Sequence, residues 1–365
     1  MDTFVTRQHK AYEMLKTKNI NKALIGDPCS INYLTGINII PYERFYGMVL
    51  DSESKTCTMI NPSVDTGCMK GRVPEVVYLD SDGPKESIIK VVGNSNILAV
   101  ETSYFSMAIG NILNNLKCKV VDIGDVISKL RMYKDEYETE QIQIAANIVD
   151  EAIAYVSDKI KPGMTEKELL LMLYSFMAKK PGVITDQFII LVQGGENSAD
   201  PHGVAGDYAF KEGDIVLLDF CAYYNYYWSD ITRCLFVGNI GDSKLEEIYN
   251  IVLGANLAAI EMVKPGVKAK DIDKAARDYI TDAGYGEYFL HRTGHGLGLS
   301  VHEEAYITSV NDLVLEEGMV FTIEPGIYLK GIGGVRIEDD ILVTKDGHHI
   351  FTKSSKNLND NIIKL

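Results

Sequence analysis

The chain has 365 residues, of which 46% are hydrophobic and 24% charged; this length suits two domains, and this composition excludes collagen-like, mucin-like and wholly disordered proteins. The net charge of −15 argues against nucleic acid or an anionic membrane as the main partner, because both bind clustered cations. The N-terminus lacks a signal-peptide pattern, no apolar run has the length of a membrane span, and the cysteines show no CxxC spacing. A cytoplasmic protein with reduced thiols is therefore expected.

Residues 1–132 alternate short apolar runs with helical patterns. Strand-like runs such as KALIGDP, YGMVLD and NILAVE are separated by segments with helical spacing. This rhythm predicts a compact domain that mixes helices and strands. Few residue types suited to catalysis occur in it, so the chemistry is expected in the rest of the chain.

A long amphipathic helix is predicted from Asp135 onward. Its apolar side chains recur at steps of three and four residues, which places them on one helix face; they are Ile142, Ala145, Val149, Ala152, Val156 and Ile160. A second helix is predicted where Thr165 and Glu168 have the spacing of a capping box. We place the domain boundary near Tyr133, which divides the chain into residues 1–132 and 133–365.

The second part of the chain repeats one plan. The sequence Lys-Pro-Gly at 161–163 recurs at 264–266, each time between two helical patterns, and Glu-Gly at 212–213 recurs at 317–318 before a strand-like run. Self-similarity of this kind indicates an internal duplication. The sequence therefore predicts an α+β domain made of two copies of a helix-plus-antiparallel-sheet unit, related by a pseudo-two-fold axis.

Each copy carries two carboxylates at matching places. Asp219 and Glu324 stand at equal distances after their Glu-Gly pairs, and Asp230 and Glu338 follow on the next strand-like segments. A pseudo-two-fold axis would bring all four together at the centre of the domain. The segments around Asp219 and Glu324 read as buried strands, where isolated anions are very costly. Structural salt bridges or solvated hairpins are one explanation. A pair of divalent ions held by oxygen ligands and activating water is the other, and we favour it.

Histidines cluster in the same part of the chain. His291, His295 and His302 lie within LHRTGHGLGLSVHE, and His202 lies in NSADPHG. The glycines on either side of His295 indicate close backbone approach rather than an ordinary helix. A lone histidine is usually a structural residue, but this cluster favours a functional site.

The motifs LLDF, SDITR, TGHGLGLSVHE, TIEPGIY and VRIEDD appear in this order. From Asp135 to the C-terminus the chain resembles the pita-bread metallopeptidases, which include Xaa-Pro aminopeptidases, Xaa-Pro dipeptidases and methionine aminopeptidases. The segment DPCSINYLTG resembles part of the accessory domain found in creatinase- and prolidase-like members. The resemblance implies a pita-bread catalytic domain preceded by a smaller mixed α/β domain.

The resemblance also assigns roles to the residues above. Two divalent ions are implied, with manganese expected first and cobalt or zinc as alternatives; their ligands would be Asp219, Asp230, His295, Glu324 and Glu338, of which Asp230 and Glu338 would bridge. His202, His291 and His302 would contact the scissile peptide. Arg336 should share a strand face with Glu338 and support it or contact substrate. Thr232 should likewise share a strand face with Asp230, and it is expected to orient that carboxylate through a hydrogen bond.

This sequence departs from the family pattern around the first carboxylates. Cys221 stands where glycine is usual and should share the face of Asp219, more as a packing residue than as a ligand. The run AYYNYYW predicts a hairpin that turns near Asn225 with aromatic pairs across the strands. The alternative places Tyr227 or Trp228 at the rim of the substrate pocket, and Tyr227 is retained as a candidate substrate-binding residue.

The leading functional hypothesis is a dimetal exopeptidase of the Xaa-Pro aminopeptidase type, which acts on short peptides with proline in second position. The alternative is an Xaa-Pro dipeptidase, which must recognise a free carboxylate close after the proline, usually with a cation. Some dipeptidases carry an arginine where this chain has Tyr306, which tilts the prediction towards longer peptides. A catalytically dead binding module is disfavoured because all five ligands are present. The resemblance further implies a homodimer.

Overall fold

The computed structural model describes residues 3–365, so that Met1 and Asp2 lie outside the described residues. The chain folds into two compact units, of which the first ends at Arg131 and the second spans Met132–Leu365. Within residues 3–365, none of the helices combines the length and the apolarity that a bilayer crossing requires.

The first unit is built on one mixed six-stranded sheet with strand order β4-β3-β2-β1-β5-β6. Its elements are α1 (Thr3–Thr17), β1 (Lys22–Ile25), α2 (Pro28–Thr35), β2 (Gly47–Asp51), β3 (Thr56–Pro62), β4 (Glu75–Tyr78), α3 (Lys85–Val92), β5 (Ile97–Val100), α4 (Met107–Asn114), β6 (Lys119–Asp122) and α5 (Val126–Met132). The apolar runs predicted as strands form β1, β2 and β5, and their side chains share a core with α3 and α4. The predicted mixed α/β fold of this part is confirmed.

The second unit contains two sheets, of order β17-β9-β8-β7 and β11-β10-β12-β15-β16, and a separate hairpin β13-β14. Its elements are α6 (Glu136–Ser157), α7 (Glu166–Met177), β7 (Ile190–Gly194), β8 (Ile215–Tyr224), β9 (Tyr227–Val237), α8 (Ser243–Glu261), α9 (Ala269–Asp282), β10 (Gly294–Gly296), β11 (Glu303–Ile307), β12 (Val320–Ile323), β13 (Gly326–Leu329), β14 (Gly333–Arg336), β15 (Asp339–Val343), β16 (His348–Ile350) and β17 (Ile362–Ile363). Capping boxes begin both α6 and α7, as the sequence predicts for α7.

The predicted duplication is visible in the backbone. Gly163 and Gly266 have φ values of +87° and +90°, in the left-handed region that glycine adopts most readily. Their N–H groups donate to equivalent carbonyls, those of Phe210 at 2.8 Å and Leu315 at 2.9 Å. In the first repeat α6 and α7 pack on β7–β9, and in the second α8 and α9 pack on the other sheet and the hairpin. The fold is that of the predicted pita-bread domain.

The hairpin of β8 and β9 turns at Asn225 and Tyr226, which both have positive φ. The rings of Tyr223 and Trp228 stack across the strands with centroids 4.2 Å apart, so the predicted aromatic hairpin is confirmed. Thr232 on β9 forms an isolated bridge with Glu338, the residue two after the end of β14. This bridge joins the two repeats at the place where their carboxylates lie.

Candidate active site

A cavity of about 420 Å³ in the second unit collects the predicted site residues of both repeats. Its walls are formed by Ile189, Leu191, Pro201, His202, Asp219, Cys221, Asp230, His291, Arg292, His295, Val301, His302, Glu324, Arg336 and Glu338. All five predicted metal ligands, the three predicted peptide-contacting histidines and Arg336 are therefore brought together. They come from β8, β9 and β10, from the ends of β12 and β14, and from the intervening loops.

The potential metal donors lie close to one another. Asp230, His295 and Glu338 each offer one ligand atom, and these atoms lie within 4.8 Å of one another. Glu324 joins them, because its Oε1 lies 3.3 Å from Nε2 of His295. Asp219 lies two residues before Cys221, which pairs directly with Asp230 across the hairpin.

The carboxylates of the cavity repel one another. Burial, followed by the charges of Asp219 and Asp340, raises the pKa of Asp230 far above its ordinary value. Burial and the charge of Asp230 do the same for the pKa of Glu338. One oxygen of Asp230 is buried without a hydrogen-bond partner among residues 3–365. A buried set of oxygen donors with an unsatisfied atom fits divalent cations, which would offset both the desolvation and the repulsion.

His295 presents a lone pair to this cluster. Its Nδ1 lies 3.1 Å from the carbonyl oxygen of Gly296, and since a carbonyl can only accept, Nδ1 carries the proton and Nε2 does not. Burial, and next the neighbouring His302, lower the pKa of His295 to about 3. The neutral ring with a free Nε2 is the form that binds metals.

Arg336 organises one side of the cavity. Its guanidinium pairs with Asp219 and donates to the hydroxyl of Tyr328 at 2.6 Å and to that of Thr232 at 3.2 Å. The side chain is 3% exposed. Its direct partner is thus Asp219, although sequence reasoning expected it to support Glu338 or touch substrate. Tyr328, within the quoted motif TIEPGIY, was not singled out from the sequence.

The predicted partner of Thr232 was wrong. Its hydroxyl donates to Glu338 at 2.6 Å, because the bridge between the repeats places Glu338 opposite Thr232. The main chain of Asp230 is held instead by Asp340, whose Oδ2 accepts from its N–H at 3.0 Å and from the hydroxyl of Ser229 at 2.6 Å. Asp340 stands in the quoted motif VRIEDD, but sequence reasoning gave it no role.

The three predicted peptide-contacting histidines differ in their surroundings. His202 and His302 are exposed at the cavity, and the rings of His302 and His295 have centroids 4.2 Å apart. His291 is held at both ring nitrogens, by the carbonyl of Arg292 and by the hydroxyl of Tyr328, each at 2.8 Å. In this conformation His291 belongs to the cavity wall, whereas His202 and His302 are free to meet a ligand.

Two residues of the hairpin were assessed from the sequence as pocket residues. Cys221 does line the cavity and is 1% exposed, which agrees with a packing residue on the face of Asp219. Tyr227 does not line it: its side chain is buried and its hydroxyl donates to Glu138 on α6 at 3.3 Å. The assignment of Tyr227 to substrate binding is corrected, because strand alternation turns this ring towards α6.

A cation that sequence reasoning missed lies in the cavity wall. The guanidinium carbon of Arg292 lies 4.7 Å from the ring centroid of Tyr306, a cation–π contact. Burial first and the charge of Arg292 second lower the pKa of His302, so this charge acts on the cavity. Among residues 3–365, no carboxylate forms an ion pair with Arg292. The only sequence signal was its place beside His291.

Both units match known families over most of their length. Residues 140–345 match Metallopeptidase family M24, and residues 7–133 match the Creatinase/Prolidase N-terminal domain. An uncharacterised peptidase of Staphylococcus aureus is 37% identical over 96% of this chain and 100% of its own length.

Solved structures with the same fold cover almost the whole chain. A prolidase from Pyrococcus horikoshii OT3 is 35% identical with a TM-score of 0.88, over 97% of this chain and 99% of that one. An Xaa-Pro dipeptidase from Bacillus anthracis is 34% identical with a TM-score of 0.89, over 98% and 99%. An X-Pro aminopeptidase from Thermotoga maritima MSB8 is 32% identical with a TM-score of 0.86, over 98% and 99%.

Proposed function

The chain belongs to metallopeptidase family M24 and is a metal-dependent hydrolase, and from this premise we propose that it is an Xaa-Pro dipeptidase. The family implies divalent metal ions, and the cavity offers donors that suit them. Several similar structures are prolidases or Xaa-Pro dipeptidases, which favours the alternative of the sequence analysis over its leading hypothesis of an Xaa-Pro aminopeptidase. Expected substrates are therefore dipeptides that end in proline.

The observation that carries this choice is Arg292. A dipeptide presents its free carboxylate directly after the proline, and a guanidinium binds a carboxylate through two parallel hydrogen bonds. Arg292 lines the cavity without a carboxylate partner among the described residues and is held over Tyr306. Position 306 carries a tyrosine instead of the arginine found in some dipeptidases, but Arg292 brings a guanidinium to the same place. The expectation that Tyr306 leaves this direction open for longer peptides is thereby weakened.

We propose that the metal ligands are those that the resemblance implies, Asp219, Asp230, His295, Glu324 and Glu338, of which Asp230 and Glu338 would be shared between two ions. When bound, the ions supply Lewis-acid polarisation of the scissile carbonyl and activation of water. Manganese suits four oxygen donors and one imidazole; cobalt and zinc are the alternatives. A homodimer is likewise a prediction from the resemblance.

The chain's own residues orient this centre and its substrate. Arg336 fixes Asp219, and Thr232 fixes one oxygen of Glu338. We assign to His202 and His302 the donation of a hydrogen bond to the carbonyl as negative charge develops on it, and of a proton to the departing proline nitrogen. Because an Xaa-Pro amide has no N–H, recognition of proline must rest on ring shape. We assign that contact to the apolar wall formed by Ile189, Leu191 and Val301.

The assay that tests this function compares Ala-Pro with Ala-Pro-Ala in the presence of manganese. The wild-type chain should hydrolyse Ala-Pro with the higher kcat/KM. Arg292→Gln should lower kcat/KM for Ala-Pro by about 10- to 100-fold, mainly through KM, since a hydrogen bond to a charged group contributes about 1.5–3 kcal/mol. Ala-Pro amide, which has no carboxylate, is the control substrate: its kcat/KM should be nearly the same for Arg292→Gln and the wild type. Equal or faster hydrolysis of Ala-Pro-Ala by the wild type would establish the aminopeptidase instead.

A further inference from the structure

A buried polar network lies behind the strands that carry the carboxylates, and none of its members lines the cavity. We call it the Asn256 network; it consists of Arg233, Asn256, Asp339 and Lys356. Arg233, Asn256 and Asp339 are 0% exposed, and the side chain of Lys356 is 16% exposed. They come from β9, from α8, from β15 and from the C-terminal segment. Buried polar groups of this kind must satisfy one another, so their geometry is tightly constrained.

Asn256 connects two of the proposed metal-ligand segments. Its Nδ2 donates to the carbonyl of Ile323 at 3.1 Å and to that of Ile337 at 3.3 Å. The next residues in the chain are Glu324 and Glu338. One amide group on α8 therefore joins the end of β12 to the segment after β14, in addition to the backbone pairing of Ile323 with Asp339 and the hydrogen bond from the N–H of Ile337 to Pro325 at 3.4 Å. The amide thus adds a side-chain link between the two segments, at the peptide groups that directly precede Glu324 and Glu338.

Lys356 fixes which way the Asn256 amide points. Its ammonium donates to Oδ1 of Asn256 at 2.8 Å and to Oδ2 of Asp339 at 2.7 Å. An ammonium can only donate, so the amide oxygen faces Lys356 and the NH₂ group faces the two carbonyls. Both N–H hydrogens and the oxygen of the Asn256 side-chain amide therefore have hydrogen-bond partners.

Arg233, the member of the network on β9, makes a second contact with the backbone at Glu338. Arg233 pairs with Asp339 at 2.7 Å and donates to the carbonyl of Glu338 at 2.6 Å. Asp339 also accepts from Thr352 at 2.9 Å. The peptide groups before and after Glu338 are therefore both anchored to buried side chains. The position of this carboxylate is set from behind the strand as well as from the cavity.

We infer that Asn256 is a positioning residue for the metal centre: it sets the spacing of Glu324 and Glu338 and thereby the affinity for divalent ions. This inference rests on the proposed function, because it takes both glutamates as ligands. Asn256 does not line the cavity, so it acts on the two glutamates only through its hydrogen bonds to the backbone carbonyls and to Lys356. Residues that orient metal ligands typically change metal affinity by about 10- to 100-fold when they are replaced.

The test measures the affinity for Mn²⁺ by competition with a chelating dye, in the full-length chain. Asn256→Asp keeps the size of the side chain and its contact with Lys356 but cannot donate to the two carbonyls. It should bind Mn²⁺ about 10- to 100-fold more weakly, with unchanged far-UV circular dichroism. Asn250→Asp is the matched control on the same helix, because Asn250 is exposed and donates only to Glu246; it should bind like the wild type.

The outcomes separate this inference from the proposed function. A folded Asn256→Asp variant with wild-type affinity overturns the inference alone. A wild-type chain that binds no Mn²⁺ overturns the proposed metal centre and the inference with it. If Asn256→Asp does not fold, Lys356→Met replaces it: this variant removes the group that orients the amide, and the same weakening is expected, with wild-type affinity again overturning the inference.

Discussion

Protons and cations compete for the carboxylates of the cavity. In the metal-free chain burial raises the pKa of Glu324 to about 7, and repulsion from Asp219 adds to this rise. Below that pH a cation must displace a proton from Glu324, whereas above it the carboxylate is already ionised. The affinity for divalent ions should therefore fall as the pH decreases through this range.

Calorimetric titration with Mn²⁺ at about pH 6 and about pH 8 measures this competition. The dissociation constant should be larger at the lower pH, and the binding heat there should depend on the ionisation enthalpy of the buffer, because protons are released. An affinity that does not change with pH, with no buffer-dependent heat, would contradict the raised pKa of Glu324.

At single residues, sequence patterns predicted which side chains meet in the cavity better than which atoms they contact. The four acids were found because they recur in a duplicated plan, and the histidines because they cluster in one segment with glycines on either side of His295. Thr232 was paired with the wrong carboxylate because its partner, Glu338, comes from the other repeat. Arg292 was missed because its contact with Tyr306 forms between segments that have no regular spacing.

The loop between β10 and β11 carries His302 and is anchored by a buried ion pair. Nζ of Lys134 lies 3.1 Å from Oε2 of Glu303, and the two side chains are 1% and 4% exposed. The other oxygen of Glu303 accepts from the N–H of Ser300 at 3.0 Å. Because Glu303 directly follows His302, this pair fixes the end of the loop on which the imidazole is placed.

Lys134→Met should leave the carboxylate of Glu303 buried without its charge partner. Breaking such a pair from one side costs about 3–5 kcal/mol of folding free energy, and the displaced loop should lower kcat for Ala-Pro. Lys134→Met combined with Glu303→Leu should recover most of the stability, since neither charge remains. Denaturant unfolding and kcat measurements of both variants check this. A single variant as stable as the wild type would show that the pair does not anchor the loop.

Elements of different length were predicted with different success. Helix α6 was evident because its apolar spacing continues over many turns, and the hairpin of β8 and β9 because its aromatic run is broken by Asn225. The strands β10 to β16 are each three to five residues long, too short for an alternating pattern to stand out. Their pairing depends on contacts between distant segments, which local sequence does not encode.

Across the whole molecule, duplication explains why the cavity exists. The first repeat supplies Asp219 and Asp230, and the second supplies Glu324, Glu338 and His295. Gly213 and Gly318 occupy equivalent turns with φ values of +91° and +90°, a conformation that favours glycine. The repeat could therefore be predicted from sequence, because equivalent turns demand the same residue. The duplication brings four buried carboxylates together, and their mutual repulsion would be offset by bound cations.

The central claim is that these carboxylates hold two divalent ions on which hydrolysis of Xaa-Pro bonds depends. Metal analysis of the purified chain beside its turnover of Ala-Pro tests this most directly. Two ions per chain are expected at full activity, with loss of turnover on chelation and recovery when manganese is returned. One ion or none in a fully active enzyme would contradict the claim.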